Sequence, residues 1–128
     1  MEVPRQERAW IALGGLLAML GVALGAFGAH GLRSRITPER LEVYQTGVHY
    51  HLIHALAILL VVALAGRIGS NWPRVAWLFA VGIVIFGGTL YLLAITGIGW
   101  LGAITPLGGL CFIAGWALLS LAAWREKK

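Results

Sequence analysis

The chain has 128 residues, of which 59% are hydrophobic and only 12% are charged. A soluble domain carries about 25% charged residues, so much of this surface is expected to face something other than water. The net charge of +5 does not indicate a nucleic-acid partner, because the ten lysines and arginines lie in short clusters between apolar runs. The length allows one domain over residues 1–128, and the one cysteine, Cys111, excludes an internal disulfide or a multi-cysteine metal site.

Four apolar runs follow one another, at about residues 10–29, 47–66, 75–97 and 101–124. Each has roughly 20 residues or more, enough for a helix to cross a hydrocarbon layer of about 30 Å. The first run is too long for the core of a cleaved signal peptide, so we interpret it as a retained span. Thr37 and Pro38 are typical of a helix start, which predicts an interfacial beginning of the second helix at about 38–46. The sequence thus predicts an all-α membrane protein with four transmembrane helices in an antiparallel up-down bundle with short loops.

The basic residues between the runs predict the orientation of these helices. Four spans place the N-terminus, the second loop and the C-terminus on one side, where seven lysines and arginines lie: Arg5, Arg8, Arg67, Arg74, Arg125, Lys127 and Lys128. The opposite side carries three, namely Arg33, Arg35 and Arg40. Because cytoplasmic loops are enriched in lysine and arginine, both termini are predicted to be cytoplasmic.

Small residues recur along the first helix at alternating steps of four and three, at Gly14, Ala18, Gly21, Gly25 and Gly28. This period of about 3.5 residues places them on one stripe, which is typical of a closely packed, left-handed helix pair. The stripe therefore predicts a packing face. Its partner is either another helix of this chain or a second copy of the protein.

Threading the four helices through a membrane gathers the hydrogen-bonding side chains toward the outer leaflet. We expect a polar cluster there, with either a structural or a ligand-binding role, whose members are His30, Gln45, His54, Tyr91 and Thr105. Polar titratable side chains within a span are costly unless they face protein or water, so this cluster is the candidate functional site.

The three histidines of the second helix do not share one face. At about 100° per residue, His49 lies nearly opposite His51 and His54, so the triplet cannot bind one metal ion. No metal site is predicted, and the pair His51 and His54 is only a weak candidate. We expect His49 and His51 at the headgroup level. The deeper His54 either bonds Tyr91, Thr105 or a backbone carbonyl as a structural residue, or acts as a ligand or proton relay.

Several segments along the chain carry a family resemblance: GAFGAHGL (25–32), YQTG with HALAILL (44–47 and 54–60), FGGTLYLLA (86–94), and TPLGG with AGWALL (105–109 and 114–119). They resemble the small bacterial inner-membrane proteins grouped as domain of unknown function 423, to which mammalian transmembrane protein 256 is similar. The resemblance implies a four-helix protein of the inner membrane and carries over no activity, substrate or cofactor. It favours His54 with His30 over His49 and His51. Within the same segments, we expect Gly108 and Gly109 to contribute to helix packing.

Three functions remain open. The first is a non-enzymatic accessory or structural protein of the lipid bilayer that self-associates or joins a larger membrane complex, because short loops leave mainly helix faces for recognition. The second is binding or transport of a lipid, quinone, metal, haem or other small ligand in an outer-leaflet pocket centred on His54 and His30. The third, an enzyme with His54 as acid or base, lacks a complementary carboxylate or nucleophile within the spans. No cofactor and no catalytic residue is predicted.

Overall fold

Four long helices make up the protein in a computed structural model that describes residues 2–125. Helix α1 is Arg5–Leu32, α2 is Pro38–Ala63 and α4 is Leu101–Arg125. Helix α3 consists of Trp72–Gly82, a π-helical turn at Ile83–Gly87, and Gly88–Thr96. Residues 2–125 contain no strand, and each helix is long and apolar enough to cross a membrane. The predicted all-α architecture with four spans is therefore confirmed.

The ends of the helices follow from local sequence chemistry. Thr37 caps the start of α2, where its hydroxyl oxygen accepts the Arg40 backbone N–H at 3.3 Å, and Pro38 occupies the first helical position. Helix α3 stops at Gly97, whose φ of 73° is left-handed and therefore suits glycine. A short helical turn, Ala65–Ile68, and a 3-10 turn, Gly69–Asn71, join α2 to α3. Short connections make consecutive helices antiparallel neighbours.

Two helices are central and two are peripheral. In the most apolar 18 residues of each span, 50% of the residues are buried in α2 and 39% in the span that contains α3. The corresponding shares are 17% in α1 and 22% in α4. Helix α1 packs mainly on α2, α2 packs on α3, and α3 packs on α4. The peripheral helices therefore present broad apolar faces outward, on which Val22, Leu110 and Ile113 are each more than half exposed.

The small-residue stripe of α1 faces α2 of the same chain. A Cβ atom added at Gly14, Gly21 or Gly28 would lie only 2.5–2.7 Å from side-chain atoms of α2. At Gly28 the obstructing group is the ring of Tyr44, and at Gly21 it is the side chain of Leu52. Glycine therefore lets the two helices approach closely. Such close packing is expected in a bilayer, where the hydrophobic effect does not drive helices together.

A second close contact joins α3 to α4. A Cβ atom added at Gly108 would lie 2.4 Å from the backbone nitrogen of Phe86, whereas one added at Gly109 would lie 3.9 Å from the Phe86 ring. A side chain at position 108 would therefore collide with the backbone of α3, whereas position 109 has room for a methyl group. Gly115 shows the same close approach to the ring of Phe79 further along α4.

Arg40 connects the start of α2 to the end of α3. Its Nε donates to the Ala94 carbonyl and its Nη2 donates to the Ile95 carbonyl, both at 2.7 Å. These carbonyls belong to the last turn of α3, where backbone acceptors lack helical partners and a positive charge is favourable.

Replacing Arg40 by lysine is expected to lower the free energy of unfolding by about 1 kcal/mol, because an ammonium group keeps the charge but loses the planar fork. Thermal unfolding in mild detergent would measure this loss. Arg35→Lys is the matched control, because the Arg35 side chain is exposed in the preceding loop and makes no hydrogen bond within residues 2–125. Equal stability of the Arg40→Lys and Arg35→Lys variants would contradict the proposed contribution of the fork.

Candidate functional site

Two histidines of α2 are buried and two other histidines of the chain are exposed. His51 is 4% exposed and His54 is 3% exposed, whereas His30 and His49 lie on the surface. The burial of His51 inside the bundle was not predicted from the sequence. Its ring faces α1 and α3, because α2 is a central helix and its position 51 points into the bundle.

His51 connects three helices. Its Nε2 lies 2.7 Å from the Leu17 carbonyl of α1, and its Nδ1 lies 2.8 Å from the Tyr91 hydroxyl of α3. A carbonyl can only accept, so Nε2 carries the proton and donates it. In the neutral ring Nδ1 is then the acceptor, and Tyr91 donates to it.

Tyr44 makes a parallel connection one heptad earlier on α2. Its hydroxyl donates to the Leu24 carbonyl of α1 at 2.6 Å, and its ring lies 5.1 Å from the ring of Tyr91. Tyr44 and His51 are seven residues apart, as are their acceptors Leu24 and Leu17. The two hydrogen bonds therefore fix the register of α1 against α2 over two turns.

His54 faces α4 instead. Its Nδ1 lies 2.7 Å from the Tyr50 carbonyl of its own helix, and the Trp116 indole Nε1–H donates to its Nε2 at 3.0 Å. Because Nε2 accepts, Nδ1 carries the proton and donates to Tyr50. The ring stacks on Phe112 with centroids 3.6 Å apart and meets Phe79 edge-on at 5.3 Å. A groove of about 290 Å³ opens beside this arrangement, between α2 and α4.

The two histidines are thus expected to be neutral and in opposite tautomers. In a sample with ¹⁵N-labelled histidine, His51 should show the shifts of the Nε2–H form and His54 those of the Nδ1–H form. Trp116→Phe should change the His54 signals and leave those of His51 in place, because only His54 accepts from the indole. The same tautomer at both residues would contradict these hydrogen-bond assignments.

The five residues of the predicted outer polar cluster occupy separate places. Thr105 pairs with Thr89 between α4 and α3, with their hydroxyl oxygens 2.8 Å apart. Tyr91 bonds His51, and His54 bonds Trp116. The other two, His30 in the last turn of α1 and Gln45 on α2, are exposed.

The partners of His54 place it near the middle of the bundle. Trp116 lies beyond the midpoint of α4 and Phe79 lies in the first part of α3, whereas His30 lies at the far end of α1. His54 and His30 therefore do not form a shared site in this structure. Sequence reasoning missed Trp116, although a tryptophan within a span has an indole N–H that needs an acceptor.

No group of three or more metal-ligating side chains lies together in the described part of the chain. A metal ion bound by His51 and His54 would have to displace existing hydrogen bonds, because each ring nitrogen of both residues is engaged.

These features define a four-helix integral membrane protein whose buried polar side chains connect its helices. The chain belongs to the family described as "Protein of unknown function (DUF423)", which matches residues 24–109. It is 47% identical to the UPF0382 membrane protein YwdK of Bacillus subtilis over 91% of this chain and 96% of that protein. It is 41% identical to the UPF0382 membrane protein SH2409 of Staphylococcus haemolyticus, over 91% of this chain and 95% of that protein. No solved structure matches the chain.

Proposed function

We propose that this protein is a non-enzymatic structural or accessory unit of the membrane, which acts by associating with other membrane helices. The observation that carries this proposal is the state of His51 and His54, whose four ring nitrogens all bond within the chain. Such histidines serve as fixed connections between helices. Using either one as a general base would first require breaking an internal hydrogen bond.

The distribution of carboxylates supports the same proposal. The acidic residues of the described chain are Glu2, Glu7, Glu39 and Glu42, and none of them is buried. His54 therefore has no carboxylate from this part of the chain beside it to orient the ring or to stabilise its charged form, as the aspartate of a Ser-His-Asp triad does. In addition, no buried side-chain nitrogen or oxygen within residues 2–125 lacks a hydrogen-bond partner.

Association is proposed as the mode of action because helix faces are the main surface that the described chain offers to a partner. Helices in a bilayer recognise one another through packing and hydrogen bonds, and the short loops offer little additional surface. Native mass measurement of protein extracted in mild detergent should show a defined oligomer or a co-extracted membrane partner. A strict monomer without a partner, at several detergent concentrations, would overturn the proposal.

We further propose that the protein lies in the inner membrane with both termini in the cytoplasm. The support is the excess of basic residues at the N-terminus and around the α2–α3 connection, where Arg67 and Arg74, the latter in the first turn of α3, lie exposed. Lys127 and Lys128, which also entered this prediction, lie outside the described residues. With Cys111 replaced by serine, a cysteine at Ser34 should react with an impermeant thiol reagent from outside, and one at Ser70 only after permeabilisation. The reverse pattern would contradict the orientation.

A ligand-binding function is the second candidate, and the groove beside His54 favours it. The groove is lined by aromatic side chains and exposes the edge of the Trp116–His54 pair to the bilayer side. Mass spectrometry of organic extracts, with absorption spectra and metal analysis of gently purified protein, would test for a bound lipid, quinone, haem or metal. A ligand lost on Gly109→Phe, which fills the groove, would support this function, whereas its absence from wild-type protein would remove the support.

A further inference from the structure

The outward face of α2 carries a heptad-like stripe that no other part of the described chain covers. Its side chains follow alternating steps of four and three residues, and all are exposed: Glu42, Thr46, His49, Ile53, Leu56 and Leu60. This is the period with which α1 packs on the opposite side of α2, and it is typical of left-handed helix pairs. We call these six residues the α2 stripe.

Two hydrogen bonds fix the depth of His49 in this stripe. Tyr44 bonds the carbonyl of Leu24 and His51 bonds that of Leu17, and His49 lies between Tyr44 and His51 on α2. His49 is therefore level with the middle of the apolar run of α1. The exposed side chains of α1 at that level are all apolar, among them Met19, Leu20 and Val22. Since α1 is long and apolar enough to cross a membrane, we infer that His49 faces the hydrocarbon layer.

Neither His49 nor Gln45 has a side-chain hydrogen bond within residues 2–125, and the Glu42 carboxylate has none either. In hydrocarbon, an imidazole and an amide without partners are costly, and such groups in membrane proteins face protein or water. The neighbouring faces of the molecule do not share this feature, because their exposed residues at this depth are apolar. The α2 stripe is therefore the surface of this protein that most requires a partner.

The surface around His49 is shallow and open. One depression is lined by α2 alone, at Glu42, Gln45, Thr46, His49 and Tyr50. A second lies beside Gln45 and His49, toward Gly25 of α1. Both leave His49 open to contact from a further helix.

We propose that the α2 stripe binds the α2 stripe of a second copy of this chain. Two copies inserted in the same orientation are related by a two-fold axis along the membrane normal, so each stripe residue meets its own counterpart. The two Glu42 carboxylates repel one another in this arrangement, so the contact is expected to extend from Thr46 to Leu60. His49 suits it, because an imidazole contains both a donor and an acceptor. His49 then bonds His49 of the second copy, while Ile53, Leu56 and Leu60 supply apolar contact further along the helix.

This inference rests on the proposed function and specifies its surface and its partner. The alternative of a different membrane protein is less well supported, since a self-complementary set of donors and acceptors requires no second sequence. The polar residues in the N-terminal half of the stripe would also set the register of the two copies against each other, as a single polar residue does in a coiled-coil seam.

Cysteine cross-linking in native membranes tests the proposal. In a chain with Cys111→Ser, cysteines placed singly at Thr46, His49 and Ile53 should form disulfide-linked dimers on mild oxidation. Val22→Cys is the matched control, because Val22 is exposed in the same depth range on α1. Equal cross-linking at Val22 and at the stripe positions, or none at any stripe position, would overturn the proposal.

A second measurement uses variants that avoid a new cysteine. His49→Leu should lower the fraction of dimer in mild detergent at least fivefold, and His49→Asn, which can pair with itself, should retain more dimer than His49→Leu. His30→Leu removes an exposed histidine outside the stripe and should leave the dimer unchanged. A dimer fraction that does not change in His49→Leu, or cross-linking through another face, would overturn this inference without contradicting the proposed function. A strict monomer without partners would overturn both.

Discussion

The Gly108→Ala variant is expected to lose about 3 kcal/mol of stability, a large effect for one methyl group. The added Cβ atom would lie 2.4 Å from the backbone nitrogen of Phe86 and 2.8 Å from its Cα. Backbone atoms cannot rotate away as a flexible side chain does, so α3 and α4 must separate. The thermal unfolding midpoint in mild detergent, followed by circular dichroism, would measure the loss.

Gly109→Ala provides an unusually close control. The two glycines are adjacent on α4, so both substitutions bring the same gain in helix propensity and the same side chain. The Cβ at position 109 would lie 3.9 Å from the Phe86 ring, which is ordinary van der Waals contact. We expect Gly109→Ala to be neutral or slightly stabilising. If both variants were equally stable, the close approach of α3 to α4 at Gly108 would be contradicted.

The His51→Leu variant is expected to lose about 2 kcal/mol, because it removes two interhelical hydrogen bonds and leaves the Tyr91 hydroxyl without its acceptor. The Leu17 carbonyl lies in the middle of α1, so its helical hydrogen bond remains available to it. Most of the loss is therefore expected to come from the Tyr91 hydroxyl, left unsatisfied in an apolar interior.

A double-mutant cycle separates these contributions. Combining His51→Leu with Tyr91→Phe removes both partners, so the double variant should be less destabilised than the sum of the two single variants. His30→Leu is the comparison, and it should leave the stability unchanged, because His30 is exposed and lies outside the α2 stripe. Strict additivity of His51→Leu and Tyr91→Phe would show that the 2.8 Å contact contributes nothing to stability.

The helices were predictable from the sequence, whereas the depth of α2 was not. Hydropathy places the start of the second apolar run near residue 47, because Glu42 and Gln45 interrupt the apolar pattern before it. Both are on the exposed face of α2, while Tyr44 on the buried face already bonds Leu24 of α1. Averaging over the two faces therefore shifts the predicted span of residues 47–66 toward the C-terminus relative to helix α2, Pro38–Ala63.

The partners of the buried histidines could not be predicted for a related reason. Residues 51 and 54 differ by about 60° around the helix. This small angle directs His51 toward α1 and α3 and His54 toward α4. The direction in which each neighbouring helix lies around α2 depends on how the four helices are arranged in the bundle. The hydropathy of the sequence does not reveal that arrangement. The pairing of Thr89 with Thr105 was missed on the same grounds, although both residues lie in the segments that carry the family resemblance.

The hydrogen bonds of His51 and His54 also imply an order of assembly during insertion into the membrane. Each histidine has one nitrogen bonded within the first two helices, to Leu17 in one case and to Tyr50 in the other. The other nitrogen reaches a residue synthesised later, Tyr91 or Trp116. The α1–α2 hairpin can therefore form its own bonds as soon as it enters the bilayer, and the α3–α4 hairpin has Thr89 and Thr105 for the same purpose. Joining the two hairpins then completes both imidazoles, and in the same step Tyr91 and Trp116 reach their acceptors.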